Sequence, residues 1–580
     1  MTDRSDIHPE LPASTRLPKE KVSFPHSQRA LGVIVGAAVG DALGAPFEFR
    51  PAGTYRDTFP ARVLVGETEM IGGGSFGWKP AEFTDDTQMA LALAESLISR
   101  RAYDPDDLWW NWREWASDAA DVGVTTRAAL SFERWQEVRH RRPEHTAANG
   151  ALMRVFPLAL ALLGKSDDDA RAIVRHQASL THHHPDAGWG AWFAVAMMRA
   201  AITRTADDDD FGVFEELADE LDYQLRNAPA DVAERFEPLL APTWKPGAAA
   251  EDSNGNIWNC LAQAVWAVRS TTSFEQAVVA AVNLGGDADT VACVTGAIAG
   301  AIYGIQGIPS RWATRINGSV RTAVGTKEYD LRGLLDTGRR LIRSAEKPLT
   351  PNEESAGPGL IEDRLHAANL LGAAGVPTDW GVVSLCRTTD QFVDHPHQRQ
   401  IYMLDDERNS NLGAAVKDAV EAIDAFLAEG RNVVVHCHGG RSRTGLVLKA
   451  WKMGRDGLTH TEAHTWLRDR WSRYATWNES FLEFLDRKWR SIVPGAGGPG
   501  DGWLDDDLEG MTIMDLYTAS FALADGPPDD FDPADYGMTA DEAIDYLDGF
   551  DQNRERAEQI LDRYQSEPDD DYDDNNDNDE

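Results

Sequence analysis

Cys437 and Arg443 bracket five residues in Val433–Leu446 (VVVHCHGGRSRTGL), a spacing suited to covalent phosphoryl chemistry. A short apolar strand should end at His436-Cys437, and Arg443-Thr444 should open a helix over Gly445–Lys452. A thiolate at a helix N-terminus is stabilised by the helix dipole and by unpaired N–H groups. The same N–H groups, converging from His438, Gly439, Gly440, Arg441 and Ser442 to Arg443, would cradle a phosphate dianion. Arg443 can fork two hydrogen bonds to phosphate oxygens, and the glycine pair lets the backbone turn around the ligand. Cys437 would attack phosphorus, forming a cysteinyl-phosphate that water later hydrolyses. The leaving oxygen needs an acid, and Asp405 and Asp406 follow the strand-like run Ile401–Leu404. A buried structural cysteine explains a lone Cys, but not this whole pattern.

A second constellation is acidic. Thr84, Asp85, Asp86 and Thr87 precede one apolar helix in Phe83–Leu97, and Asp287, Asp289 and Thr290 precede another in Asn283–Ile298. Hydroxyls beside paired carboxylates are hard oxygen ligands that suit Mg²⁺ or Mn²⁺ rather than zinc. If the two helix starts face each other, their charge requires compensating cations. Helix capping is the plainer explanation, since Asp85 with Gln88 makes an acceptable capping box. A cap needs neither the second aspartate in each motif nor Gly285-Gly286 ahead of one.

These residues resemble the ADP-ribosylglycohydrolases, through a series of motifs in order: Val39–Phe49, Gly72–Thr87, Asp121–Leu130, Ala148–Arg154, Thr181-His182 and Gly285–Thr290. The resemblance implies an all-α domain over 28–345 that holds two divalent metals, Mg²⁺ or Mn²⁺, on Thr84, Asp85, Asp86, Asp287, Asp289 and Thr290. The metals would orient the distal ribose and activate water for attack at its anomeric carbon. Asp121 matches a general base and Glu48 an acid used elsewhere in the family; Asn149, Gly150, His182, Gly285 and Gly286 fall at substrate-binding positions. Relatives often read D-I-G-N where this chain has Asp121-Val122-Gly123-Val124, so a polar contact to substrate is lost at Val124. The H-C-x5-R-T segment is similar to that of dual-specificity and tyrosine phosphatases, over 359–492. That likeness makes Cys437 the nucleophile, Arg443 the phosphate ligand, Thr444 the aid to the leaving thiolate and Asp405 the acid, with no metal.

The elements that must position these groups change character along the chain. Ala-rich helical periods dominate to about residue 345: Thr87–Ser99, Leu108–Ala119, Leu152–Leu163, Trp189–Ile202, Trp258–Val268 and Thr290–Ile305. The tryptophans at 109, 110, 112 and 115 have the spacing of a packed helix face, and of His182–His184 only His182 is expected in a pocket. After the polar segment Glu346–Gly359, strand-like Val382–Leu385, Ile401–Leu404 and Val433–His436 alternate with helical Leu412–Ala428, the texture of an α/β domain. An acidic region over 503–580 follows, with helical pieces at Ala540–Leu547 and Asn553–Tyr564 and a disordered end.

The 580 residues are too many for one core, and a formal charge of −39 argues against general nucleic-acid binding. Four cysteines without a C-x-x-C pair fit a reducing compartment, and a cytoplasmic protein is expected. The apolar stretches Leu31–Phe47 and Val291–Ile305 read as too short or interrupted to span a bilayer, so no membrane partner is expected. The reading is a bifunctional hydrolase acting on an ADP-ribosylated protein or other ADP-ribosyl conjugate and on a phosphorylated substrate, through two independent sites. The alternative is a non-hydrolytic ADP-ribose-binding module that recruits the phosphatase.

Overall fold

The computed structural model describes residues 9–492 except 20–25, 141–142, 205–211, 248–249, 345–353, 389–394, 407 and 472–477. Most of the proposed linker and the whole acidic C-terminal region, with its two helical pieces, lie outside the described residues. The end of the linker is packed: Asn369 Oδ1 accepts from Ala356 N at 3.0 Å, and Asn369 Nδ2 donates to Glu354 O at 2.9 Å.

The helical part is organised on α1 (His26–Gly44), α2 (Asp85–Arg100), α3 (Pro105–Ala116), α4 (Val124–Leu130), α5 (Pro185–Thr203), α6 (Ile257–Arg269), α7 (Ala288–Tyr303) and α8 (Leu331–Leu341). A two-stranded antiparallel hairpin, β1 (Asn317–Thr322) and β2 (Gly325–Asp330), is an addition the helical periodicity did not suggest. Helices α1 and α7 are the axis of the domain. Gly32, Gly36, Gly40 and Gly44 recur every fourth residue and so share one face of α1. That face meets the α7 backbone so closely that a Cβ on Gly36 would lie 2.3 Å from Gly296 O. With its 3₁₀ extension, α1 runs from His26 to Phe47, long and apolar enough by length and composition to cross a membrane, which corrects the reading of Leu31–Phe47 as too short. The whole of its apolar window is buried inside the protein, so here it is a core helix.

Two local expectations are corrected. Leu152–Leu163 is not one helix: a 3₁₀ turn covers Asn149–Ala151, and the α-helix spans only Phe156–Ala161, where Pro157 fits the first turn and would break an interior. Thr84, not Asp85, is the N-cap of α2, and its side chain makes no capping hydrogen bond.

The second part is a five-stranded sheet in the order β3–β4–β7–β5–β6, from β3 (Gly359–Glu362), β4 (Leu365–Asn369), β5 (Gly381–Ser384), β6 (Gln398–Gln400) and β7 (Val433–Cys437). Only β3 is antiparallel to its neighbour. Helices α9 (Leu412–Ala428) and α10 (Ser442–Asp456) flank it. The strand-like run Ile401–Leu404 is not a strand. Pairing ends at Gln400, because the Tyr402 and Met403 carbonyls accept side-chain hydrogen bonds from Gln306 and Arg443 instead. Helical part and sheet pack into one compact unit that ends at Arg490.

Candidate active sites

The α2 and α7 helix starts do face each other. Asp41, a lone carboxylate inside the apolar run of α1, supplies the cap that Thr84 does not: its Oδ1 and Oδ2 accept from Thr84 N, each at 3.0 Å, and Oδ2 accepts from Thr87 N at 3.1 Å. On the other side, Gly285 and Gly286 both take left-handed φ (68° and 64°), and a Cβ on Gly285 would lie 2.4 Å from Arg50 O. This close approach lets Phe49 N donate to Gly286 O at 2.6 Å and Gly286 N to Arg50 O at 2.9 Å. Glu48 is thereby brought beside the acids of α7. Asn149 Nδ2 donates to Asp287 Oδ2 at 2.8 Å, and Asn254 fixes the same turn by accepting from Asp287 N at 3.0 Å and donating to Gly285 O at 2.8 Å.

The result is a dense acidic centre. Oxygens of Asp41, Asp86 and Asp289 lie within 4.8 Å of one another, as do those of Glu48, Asp287 and Asp289. Thr290 donates to Asp86 Oδ1 at 3.1 Å, while the buried Asp86 Oδ2 has no hydrogen-bond partner. Asp85 is outside both groups of three; after burial, its strongest perturbation is repulsion from Asp121. Burial pushes every one of these carboxyls up, Asp41 to about 6 and Glu48 to about 8, with repulsion from Asp287, Asp121 and Asp41 adding to Glu48. Asp86 and Asp289 rise for the same two reasons, Asp287 by burial, and Asp121 by burial with repulsion from Asp287. Such a set holds its charge only with cations among it. An all-oxygen donor set with an unsatisfied buried oxygen fits a hard divalent ion.

His182 is buried against Gly150, whose Cβ would lie 3.0 Å from the imidazole Cε1. Its Nδ1 pairs with Thr181 Oγ1 at 2.8 Å, and burial with the charge of Arg154 keeps the ring neutral. Val124 opens α4 with 86% of its surface exposed. Trp109, Trp112 and Trp115 are buried in packing, and only Trp110 of that cluster is exposed.

Cys437 ends the central strand β7, opposite Asn369 on β4, and is buried. The carboxyl ends of parallel strands beside a following helix are where such sheets bind ligands. Gly440 takes φ +65°, and a Cβ there would lie 2.6 Å from Ala368 O, so the loop is pressed onto β4. Its carbonyl accepts from Trp471 Nε1 at 2.7 Å. His438, Gly439 and Arg441 are half-buried, Ser442 is buried, and α10 starts at Ser442 rather than Gly445. Arg443 Nη1 donates to Met403 O at 3.0 Å, while Nε has no hydrogen-bond partner and lies 3.9 Å from Asp405 Oδ2. Thr444 Oγ1 is likewise buried without a partner. Asp406 is bound instead by Arg408, whose hydrogen bonds hold its carboxyl below the usual range, with the charge of Arg443 adding to the effect.

Sequence reasoning missed Asp41, Asn254 and Asn409, the last of which braces the turn around Asp405 by accepting from Leu404 N and donating to Asp406 O. For Asp41 the signal was present, a single carboxylate inside the apolar run of α1. The two asparagines lie in polar loops where nothing marks them.

A family model described as ADP-ribosylglycohydrolase matches residues 25–346, and one described as the catalytic domain of dual-specificity phosphatases matches 382–488. The chain is 33% identical to the ADP-ribosyl dinitrogen reductase glycohydrolase of Rhodospirillum rubrum, over 51% of its own length and 92% of the relative's. It is 33% identical to the ADP-ribosylarginine hydrolase Tri1 of Serratia proteamaculans, over 50% and 75% of the two chains. Identity to the ADP-ribosylhydrolase ARH3 of Bos taurus is 27%, over 51% and 90%. With half its length matched and those motifs gathered at one acidic centre, the chain belongs to the ADP-ribosylglycohydrolase family and carries a dual-specificity phosphatase catalytic domain behind it.

Proposed function

We propose that this chain is a bifunctional hydrolase that cleaves ADP-ribosyl glycosidic bonds with divalent cations and hydrolyses phosphomonoesters with Cys437. The observation that carries the first half is the pair of carboxylate triads sharing Asp289, with Asp86 Oδ2 left unsatisfied between helix starts. Asp86, Asp287, Asp289, Thr84, Asp85 and Thr290 would hold two cations, Mg²⁺ or Mn²⁺, with Asp41 added to that set. Bound there, the cations supply charge compensation and Lewis-acid polarisation of substrate oxygens. Asp121 takes the proton of the attacking water, and Glu48, beside Asp287 and Asp289, is the alternative acid-base group. Asn149 orients Asp287, and Gly150 with neutral His182 forms the wall against which the substrate lies.

In the phosphatase, Cys437 Sγ attacks phosphorus as the P–O bond to the leaving group breaks. Asp405 gives its proton to that leaving oxygen. Backbone N–H groups from His438 to Arg443, with the Arg443 guanidinium, hold the three remaining oxygens. Water then attacks the cysteinyl-phosphate, Asp405 takes its proton, and the Thr444 hydroxyl, free of other partners, donates to the departing thiolate.

The relatives act, by name, on ADP-ribosylated dinitrogen reductase and on ADP-ribosylarginine. An ADP-ribosylated protein is the substrate class we assign to the first site, and a phosphorylated one to the second. A non-hydrolytic, ADP-ribose-retaining reading has one observation in its favour, the exposed apolar Val124 beside Asp121. ADP-ribose release from ADP-ribosylated proteins, followed through a single turnover with and without Mg²⁺ or Mn²⁺, separates the two. Binding without release under all conditions would establish the second reading.

A further inference from the structure

The Asp405 carboxyl meets Asn478 Nδ2 at 3.4 Å and Arg443 Nε at 3.9 Å, but the loop that carries it is also held by the other domain. Gln306, buried just past the C-terminus of α7, directs all of its hydrogen-bonding capacity at this loop. Its Nε2 donates to Tyr402 O and to Asn409 Oδ1, both at 2.7 Å. Its Oε1 accepts from Asn411 N at 2.8 Å and Ser410 Oγ at 3.2 Å. Asn409 then closes the turn around Asp405: its Oδ1 accepts from Leu404 N at 2.8 Å, and its Nδ2 donates to Asp406 O at 2.7 Å. From α1, Gln28 Oε1 accepts from Ser410 N at 2.9 Å.

Both ends of the loop are anchored in the same direction. Before it, Gln400 N on the edge strand β6 donates to Thr314 Oγ1 at 3.1 Å. After it, α9 offers Asp418 to Ser310 N and Oγ, both at 3.0 Å, and Glu421 to the Arg62 guanidinium, both contacts at 3.0 Å. Arg62 also pairs with Glu275, which pairs with Arg311, itself bound to Glu69. The platform is stiff, because Gln28 and Gln306 sit at the adjacent ends of α1 and α7, whose backbones touch along their length.

We infer that Gln306, assisted by Gln28, is a positioning residue of the phosphatase reaction, supplied by the glycohydrolase domain. It sets where the Asp405 carboxyl stands over the phosphate cradle, so the working phosphatase spans both domains. This rests on the reading of Asp405 as proton donor. It also replaces the expectation of two independent sites. Proton donation matters most when the leaving oxygen is strongly basic, so a misplaced Asp405 slows phenyl phosphate far more than an activated, fluorinated aryl phosphate.

The test uses the full chain, with Gln306→Ala, Gln28→Ala, Asp405→Asn and the double variant Gln306→Ala/Asp405→Asn, each on both phosphates. Asp405→Asn should lower kcat/KM, which ends at leaving-group departure and so excludes the later hydrolysis, by about a hundredfold for phenyl phosphate and far less for the activated ester. Gln306→Ala should lower kcat/KM for phenyl phosphate by about tenfold and that for the activated ester far less. In the double variant it should cost nothing beyond Asp405→Asn. Gln28→Ala should act in the same direction more weakly, and serves if Gln306→Ala does not fold. If Asp405→Asn steepens the leaving-group dependence but neither glutamine variant does, or if their losses are equal on both esters, the positioning role is overturned. If Asp405→Asn itself leaves that dependence unchanged, the assignment of the acid falls, and the positioning role with it.

Discussion

Thr290 donates its hydroxyl to Asp86 Oδ1 at 3.1 Å, tying the first turn of one helix to the first turn of another that lies 204 residues away in sequence. Neither residue caps its own helix. Both serve a shared volume whose carboxylates repel one another unless a cation lies among them. Asp287→Ala or Asp289→Ala should therefore abolish divalent-ion binding and ADP-ribose release while the far-UV circular dichroism stays unchanged. Calorimetric titration with Mn²⁺ reads the binding, and unchanged stoichiometry in both variants would refute the site.

Asp41 does two things that substitution can separate. It caps α2 through Thr84 N and Thr87 N, and it belongs to the triad with Asp86 and Asp289. Asp41→Asn keeps one acceptor oxygen, so the fold should survive while Mn²⁺ affinity falls by at least about tenfold. Asp41→Leu orphans both N–H groups and should cost about 1–3 kcal/mol in urea unfolding. Equal effects of the two variants on stability would mean that capping is not what the carboxylate contributes.

For the second site, Cys437→Ser should stop phosphate release and leave ADP-ribose release intact, because a hydroxyl near neutral pH is a far poorer nucleophile than a thiolate. Thr444→Ala removes a hydroxyl without a partner, so stability should hold. Its effect should fall on breakdown of the cysteinyl-phosphate, seen as a larger pre-steady-state burst. Loss of the burst instead would place Thr444 in the first step.

Acid sensitivity should be written into the contact between domains. Burial pushes the Glu275 carboxyl up, but Arg311 and Arg62 outweigh it and hold the group at about 2. A carboxyl lower in the folded chain than in the unfolded one contributes stability above about pH 4.5, where both states are ionised. That contribution is lost as pH falls from about 4.5 toward 2, because the unfolded chain takes up the proton first. Glu275→Gln should be less stable than the parent at pH 6, and the gap should close progressively below pH 4.5. A constant gap across that range would remove Glu275 from the acid response.

Local sequence alone determined the chemistry and much of the frame. Residue type fixes the hard-oxygen character of Thr84–Asp86 and Asp287–Thr290. Four-residue glycine spacing along α1 and α-helical periods such as Pro185–Thr203 follow from short-range pattern, as do the strand and helix on either side of Cys437. Tertiary structure decided whatever depends on partners distant in sequence. Asp85 and Gln88 spell a capping box, yet the cap comes from Asp41, because only packing α1 beside α2 brings that carboxylate to Thr84 N. Ile401–Leu404 has the composition of a strand, yet Gln306 and Arg443 take its carbonyls, and no local pattern records a competing donor about a hundred residues upstream. The contact between the two domains was likewise not legible: Gln28, Arg62 and Gln306 look like ordinary polar residues until the fold sets them against Ser410, Glu421 and Asn409. A hydrogen bond forms between whatever atoms the chain brings within about 3 Å, and for residues far apart in sequence only the folded backbone determines which atoms those are.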